Sequence, residues 1–121
     1  MPAAQKGALI IDRRSSVRES LRSKILESTG SSVDVAGSVA DAVKHLMHSK
    51  YTMIFVDLDL LRGSLFDCMQ TLKPRPITIG MASAREVEFG EEASLLHAVI
   101  EKPADLDRIA HVAAAILNAS A

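Results

Sequence analysis

The sequence predicts an α/β fold, a doubly wound parallel sheet of five strands with helices on both faces. Three observations predict it. Short apolar runs alternate with longer segments of helical period along the whole chain. The apolar runs are continuous rather than alternating, as strands covered on both faces are. Charged residues, Asp12, Asp57 and Lys102, stand within a residue or two of where those runs stop. Strict strand–helix alternation argues for a parallel sheet, and such sheets build their sites just beyond the carboxyl ends of strands.

Taken in order, the first strand is Ala8–Ile11, closed by Asp12. Ser16 and Glu19 have capping-box spacing ahead of Val17, Leu21 and Ile25, and Gly30 is a natural end for that helix. Val33–Ala36 is the second strand. Ser38 and Asp41 repeat the capping pattern before a helical face of Val39, Ala42, Val43, Leu46 and Met47. Met53–Val56 is the third strand, running straight into Asp57 and Asp59. A weaker helix covers Leu65–Leu72, and Pro74 and Pro76 close the loop behind it. Ile77–Ala82 is the fourth strand. Glu86–Leu96 is a poorly patterned fourth helix interrupted by Gly90. Ala98–Ile100 is the fifth strand, before Glu101, Lys102 and Pro103. A fifth helix carries Leu106, Ile109, Ala110, Val112, Ala113, Ile116 and Leu117.

The 121 residues are expected to form a single domain, 1–121, with residues 1–6 and 119–121 as flexible ends. Fourteen Lys and Arg nearly cancel 15 Asp and Glu, so a net charge of −1 exerts no general pull toward nucleic acid or acidic membranes. The basic run of Arg13, Arg14, Arg18 and Arg22 is local. With no Trp, one Tyr and three Phe, the core must be aliphatic, and the stacking platform of single-strand nucleic-acid binders is missing. No run approaches the roughly 20 apolar residues of a membrane span. The five residues between Lys6 and Asp12 are too few for a signal-peptide core. The single cysteine, Cys68, excludes an internal disulfide and fits a reducing, cytoplasmic compartment.

Several chemistries drop out. No glycine-rich phosphate loop follows the first strand, and the Ser15–Ser16 pair lacks the glycines one would need. Structural zinc spacing is absent. His45 and His48, three apart on a helix, have no third ligand nearby and are expected on the surface. His97 and His111 carry no motif, and Asp41 is better placed as a helix-end residue than as a catalyst.

What remains is Asp12 after strand one, Asp57 after strand three and Lys102-Pro103 after strand five. With LIID ending at Asp12, IFVDLDLL around Asp57, PITIGMASA at Pro76–Ala84 and EKPADLDRI at Glu101–Ile109, the chain resembles the receiver domain of two-component response regulators over nearly its whole length. The spacings from the first acid to the central acid, and on to the Lys-Pro pair, are those of that family. The resemblance implies the flavodoxin-like strand order 2-1-3-4-5. It places Asp57 at the phosphoacceptor position, Lys102 as the lysine that pairs with the phosphoryl group, and Asp12 as the first of an acidic pair that helps hold Mg²⁺. The chemistry follows from charge: a carboxylate attacking a phosphoryl donor needs the incoming charge neutralised, which Mg²⁺ and a lysine can do.

The chain departs from the pattern at several pocket positions. Arg13 replaces the second acid, so two carboxylates face two cations where the family has three carboxylates and one lysine. That balance argues against Mg²⁺, for which Asp12 and Asp57 are the carboxylates left. The position of Asp59 contributes a backbone carbonyl in the family. Arg13 is expected either to salt-bridge Asp57 or Asp12 in place of the ion or to extend into water. Met81 stands where the family has a Thr or Ser hydroxyl that donates to the phosphoryl group, a bond worth on the order of 1–3 kcal/mol. Ser83 substitutes only if the strand register shifts by two. Val99 replaces the Tyr or Phe of the family's rotamer switch, and Leu61 and Leu65 replace its proline and glycine, with Gly63 displaced.

The expected function is an atypical receiver-like module in phosphorelay signalling. It would not be an enzyme, its Mg²⁺-dependent phosphorylation of Asp57 would be impaired, and it would act through protein–protein contacts. Its partners would be a sensor histidine kinase or another signalling protein. A homodimer through the fourth helix, fifth strand and fifth helix (here Ala98–Lys102 and Leu106–Leu117) is the other partner expectation. The alternative is a conventional phosphoreceiver modified on Asp57 by a histidine kinase. A phosphatase using Asp57 as nucleophile would need the same Mg²⁺, and neither DNA nor membrane binding by this domain is expected.

Overall fold

In the computed structural model, residues 5–82, 94–101 and 106–119 are described. The elements are β1 (Gln5–Ile11), α1 (Ser15–Thr29), β2 (Val33–Ala36), α2 (Val39–His48), β3 (Lys50–Asp57), α3 (Gly63–Gln70), β4 (Ile77–Ala82), β5 (Ala98–Glu101) and α4 (Leu106–Ala119). The five strands form one parallel sheet of order β2-β1-β3-β4-β5, as expected. The fourth helix expected at Glu86–Leu96 falls largely on residues 83–93, outside the described residues. Ser94 and Leu95 form a 3₁₀ turn. The fifth helix of the sequence expectation is therefore α4 here.

Successive side chains of a strand point to opposite sheet faces, and the core divides accordingly. On one face Ile10, Met53, Phe55, Ile79 and Met81 meet Val17, Leu21 and Ile25 of α1 and Ile109, Ala113 and Leu117 of α4. On the other, Leu9, Ile11, Ile54 and Val56 meet Ala42 and Leu46 of α2 and Leu65 and Met69 of α3. No helix among the described residues is long and apolar enough to cross a membrane.

Four local expectations need correction. β1 takes in Gln5 and Lys6, two residues assigned to a flexible end, because they pair with Lys50 and Tyr51 of a longer β3. Residues 1–4 and 120–121 lie outside the described residues. The capping box at Ser16 does not form: α1 starts two residues earlier than that cap would set, with Arg14 at the cap position and no side-chain cap. Asp12 supplies the turn instead, its Oδ1 accepting the Arg14 N–H at 2.8 Å. α3 spans Gly63–Gln70 rather than Leu65–Leu72. Met47, assigned to the buried face of α2, is 74% exposed because that face turns Ala42 and Leu46 inward. The other end signals hold. Ser38 accepts the Asp41 N–H at 3.1 Å. Gly30 adopts φ 68°, a left-handed conformation that costs glycine little, and its N–H reaches Leu26 O.

Candidate functional site

The site is assembled by strand register. Ile11 of β1 lies beside Val56 of β3, so Asp12 and Asp57, one residue further along each strand, arrive at neighbouring ends. Met81 of β4 is the register partner of Asp57. A backbone bond from Leu58 N to Met81 O (3.0 Å) fixes that alignment one residue beyond the strand. Asp12 is fully buried, Asp57 is 6% exposed and Met81 is fully buried. Three of the residues singled out from the sequence thus come together at the carboxyl edge of the central strands.

Each carboxylate is tied into its own loop. Asp12 Oδ1 accepts from Arg14 N, and Asp57 Oδ1 accepts from Asp59 N at 3.0 Å, a local turn in which the side chain takes the place of a carbonyl. Leu60 N donates to Asp57 O at 2.9 Å and tightens the second loop. No buried polar side-chain atom among the described residues is left without a hydrogen-bond partner.

Arg13 turns outward. Its Nη2 lies 3.4 Å from Asp59 Oδ2, and both side chains are more than 60% exposed. The expected salt bridge to Asp57 or Asp12 is replaced by this pair, because the outward loop position of Arg13 faces the outward position of Asp59. Among the described residues, the basic group that reaches the pocket edge is Arg18, which the sequence places in a general basic run. Its Nη1 donates to the main-chain carbonyl of Asp12 at 2.8 Å, and its guanidinium packs where a Cβ on Gly37 would stand, 3.0 Å away. Its place one turn into α1, six residues past Asp12, is the signal that could have found it. Lys102 lies outside the described residues, as do Pro103 and Ser83.

The described residues bring two carboxylates, Asp12 and Asp57, to one edge of the sheet. Mg²⁺ asks for oxygen ligands in near-octahedral order. Here Oδ1 of each carboxylate accepts a backbone N–H, Arg18 donates to the Asp12 carbonyl, and Arg13 reaches outward to Asp59. Among the described residues, no three or more His, Cys, Asp or Glu are grouped to hold a metal ion.

The remaining candidates have structural partners. His45 stands between Asp34 (Nδ1 to Oδ2, 3.9 Å) and Asp41 (Nε2 to Oδ1, 3.8 Å), and His48 is exposed. His97, without a motif, holds the end of the sheet. Its Nδ1 accepts the Thr78 N–H at 3.0 Å while its own N–H donates to Thr78 O at 2.8 Å. Burial pushes the Cys68 thiol up, away from nucleophilic use. Val99 is 42% exposed beside Gly80, where a Cβ would stand 2.7 Å from Leu58 Cδ2. On α4 the larger apolar side chains Ile109, Val112, Ile116 and Leu117 pack on the core. Arg108, His111 and Ala115 are its exposed residues among those described.

Neither a protein-family model nor a curated protein matches the sequence. Solved structures do resemble it. A Francisella response regulator receiver domain superposes with a TM-score of 0.76 at 16% identity, covering 96% of this chain and 99% of that one. A CheY-like response regulator receiver domain from Methylobacillus flagellatus gives 0.71 at 22% identity over 93% and 99%. One from Methanospirillum hungatei gives 0.73 at 14% over 93% and 94%. With a strand order of β2-β1-β3-β4-β5 and near-complete coverage in both directions, the chain has the flavodoxin-like fold of CheY-like receiver domains.

Proposed function

We propose that the protein is a receiver-like module of two-component signalling in which Asp57 keeps the phosphoacceptor position but Mg²⁺-dependent phosphorylation is impaired. It is a non-catalytic, cytoplasmic domain that works through contacts with a sensor histidine kinase or another signalling protein. The observation that carries this reading is the fully buried Met81 beside Asp57. A thioether accepts weakly and cannot donate, so this side chain gives a phosphoryl oxygen no donor. The Leu58–Met81 bond holds that register, which opposes the two-residue shift that Ser83 would need. The missing carboxylate at position 13 and Arg18 on the Asp12 carbonyl add to the case against the divalent ion, and Asp57 and Lys102 are then read as an ion pair that supports the fold.

A homodimer through β5 and the last helix would use the face described here only in part. Among the described residues of α4, Ile109, Val112, Ile116 and Leu117 pack on the core and Arg108, His111 and Ala115 are exposed, whereas Val99 of β5 is 42% exposed.

One observation favours the conventional phosphoreceiver as a second reading. Arg13 is held at the rim by Asp59 and leaves the ground between Asp12 and Asp57 to other groups. Incubation with acetyl phosphate and Mg²⁺, followed by intact mass spectrometry, separates the two. Little or no phosphoryl adduct is expected. A stoichiometric adduct that Asp57→Ala abolishes would establish the second reading and overturn the first.

A further inference from the structure

At the opposite, amino-terminal edge of β3 a cleft of about 150 Å³ opens between the end of α2 and the loop after α3. Leu46, Ile54 and Leu72 contribute apolar wall, and Lys50 and Lys73 line it as well. None of its lining residues is acidic. Neither lysine has an ion-pair partner among the described residues. The Tyr51 hydroxyl, also on the wall, is already committed to Asp34 at 2.6 Å. Met47, at 74% the most exposed of the large hydrophobic side chains described, borders the same cleft. A thioether left in water beside an apolar pocket is an adaptable wall for a ligand.

We propose that this cleft binds a small organic anion, with an apolar body the size of one ring or a short chain and a single carboxylate or phosphate. The volume argues for the body, since an apolar cavity of about 150 Å³ takes one benzene. The charge argues for the head group. Two cations without partners beside an acid-free wall attract an anion and repel a cation of the same shape, and a partly desolvated site strengthens both effects. The proposal is independent of the receiver reading, because the cleft and Asp57 lie at opposite ends of β3.

The test uses the ¹⁵N-labelled full chain titrated with benzoate, benzyl alcohol and benzylammonium as probes of equal shape and different charge. Benzoate should give saturable amide shifts confined to residues 46–54 and 72–76. Benzyl alcohol should bind about tenfold more weakly, and benzylammonium should not bind at the concentrations that saturate benzoate. Lys50→Glu combined with Lys73→Glu, both at exposed positions, should cost benzoate about tenfold or more in affinity. Asp57→Ala should leave benzoate binding unchanged, whatever the phosphorylation assay shows. The proposal is overturned by absence of saturable benzoate shifts, by shifts centred on the Asp12–Asp57 edge, by equal binding of the three probes, or by a double variant that binds benzoate like the parent.

Discussion

The guanidinium of Arg13 and the carboxylate of Asp59 meet 3.4 Å apart with most of both side chains in water, a setting in which ion pairs contribute about 0–1 kcal/mol. The pair matters for what it keeps near the pocket rather than for stability. Arg13→Asp should therefore change the urea midpoint little while raising Mg²⁺ affinity. The readout is the rise of Tm with added Mg²⁺, which follows from preferential binding to the folded state. An equal rise in parent and variant would show that Arg13 does not govern the ion. Tyr51 gives a second prediction at this scale. Burial, then the hydrogen bond to Asp34, then the Asp34 charge push its phenol well above the ordinary value. The neutral form is thus favoured in the folded chain, and stability is fully present below the unfolded value of about 10. Above that pH the unfolded chain releases a proton that the folded chain keeps, so stability falls as pH rises. Tyr51→Phe should cost about 1–2 kcal/mol at neutral pH. Its stability should fall less steeply than the parent's above about pH 10, by denaturation at stepped pH.

Helix ends show which signals survive folding. The same capping spacing occurs at Ser16 and Ser38, yet only Ser38 makes the bond, to Asp41 N. At α1 the Asp12 side chain turns back to Arg14 N and starts the helix at Ser15, leaving Ser16 inside its first turn. Ser38→Ala should accordingly cost about 1 kcal/mol, and Ser16→Ala should stay within about 0.5 kcal/mol, both by chemical denaturation. A cost at Ser16 matching that at Ser38 would contradict the observed cap. The same contrast explains what the sequence could disclose. Ile77–Ala82 was legible to the residue, because an apolar run between a proline loop and polar residues leaves little freedom. β3 extends backward over Lys50, Tyr51 and Thr52, a stretch without an apolar run in the sequence, because pairing with Gln5 and Lys6 is long-range information. Asp12, Asp57 and Met81 were legible as neighbours because parallel register turns equal strand ends into proximity. The contacts of Arg13 and Arg18 were not, since long side chains choose among several partners only once the loops are in place.

At the scale of the whole molecule, the central strands separate two packed layers that share no buried residue among those described. Ile25 packs with Phe55 and Met81 under α1 and α4, whereas Ile54 packs with Leu46 and Leu65 under α2 and α3. Loss of one methylene from either layer should cost about 0.5–1.5 kcal/mol, so Ile25→Val and Ile54→Val leave enough stability for the double variant to be measured. Mutations without shared partners add to within about 0.3–0.5 kcal/mol, and the double variant should show the sum when followed by far-UV circular dichroism. The result bears on signalling as well as stability. Asp57 meets Met81, a residue of the α1–α4 layer. At that register position β4 presents the carboxylate with an apolar side chain instead of a hydroxyl. A coupling well above that additive range between Ile25→Val and Ile54→Val would show that strain does cross the sheet. It would supply a route from Asp57 to the α2–α3 surface that independent layers do not allow.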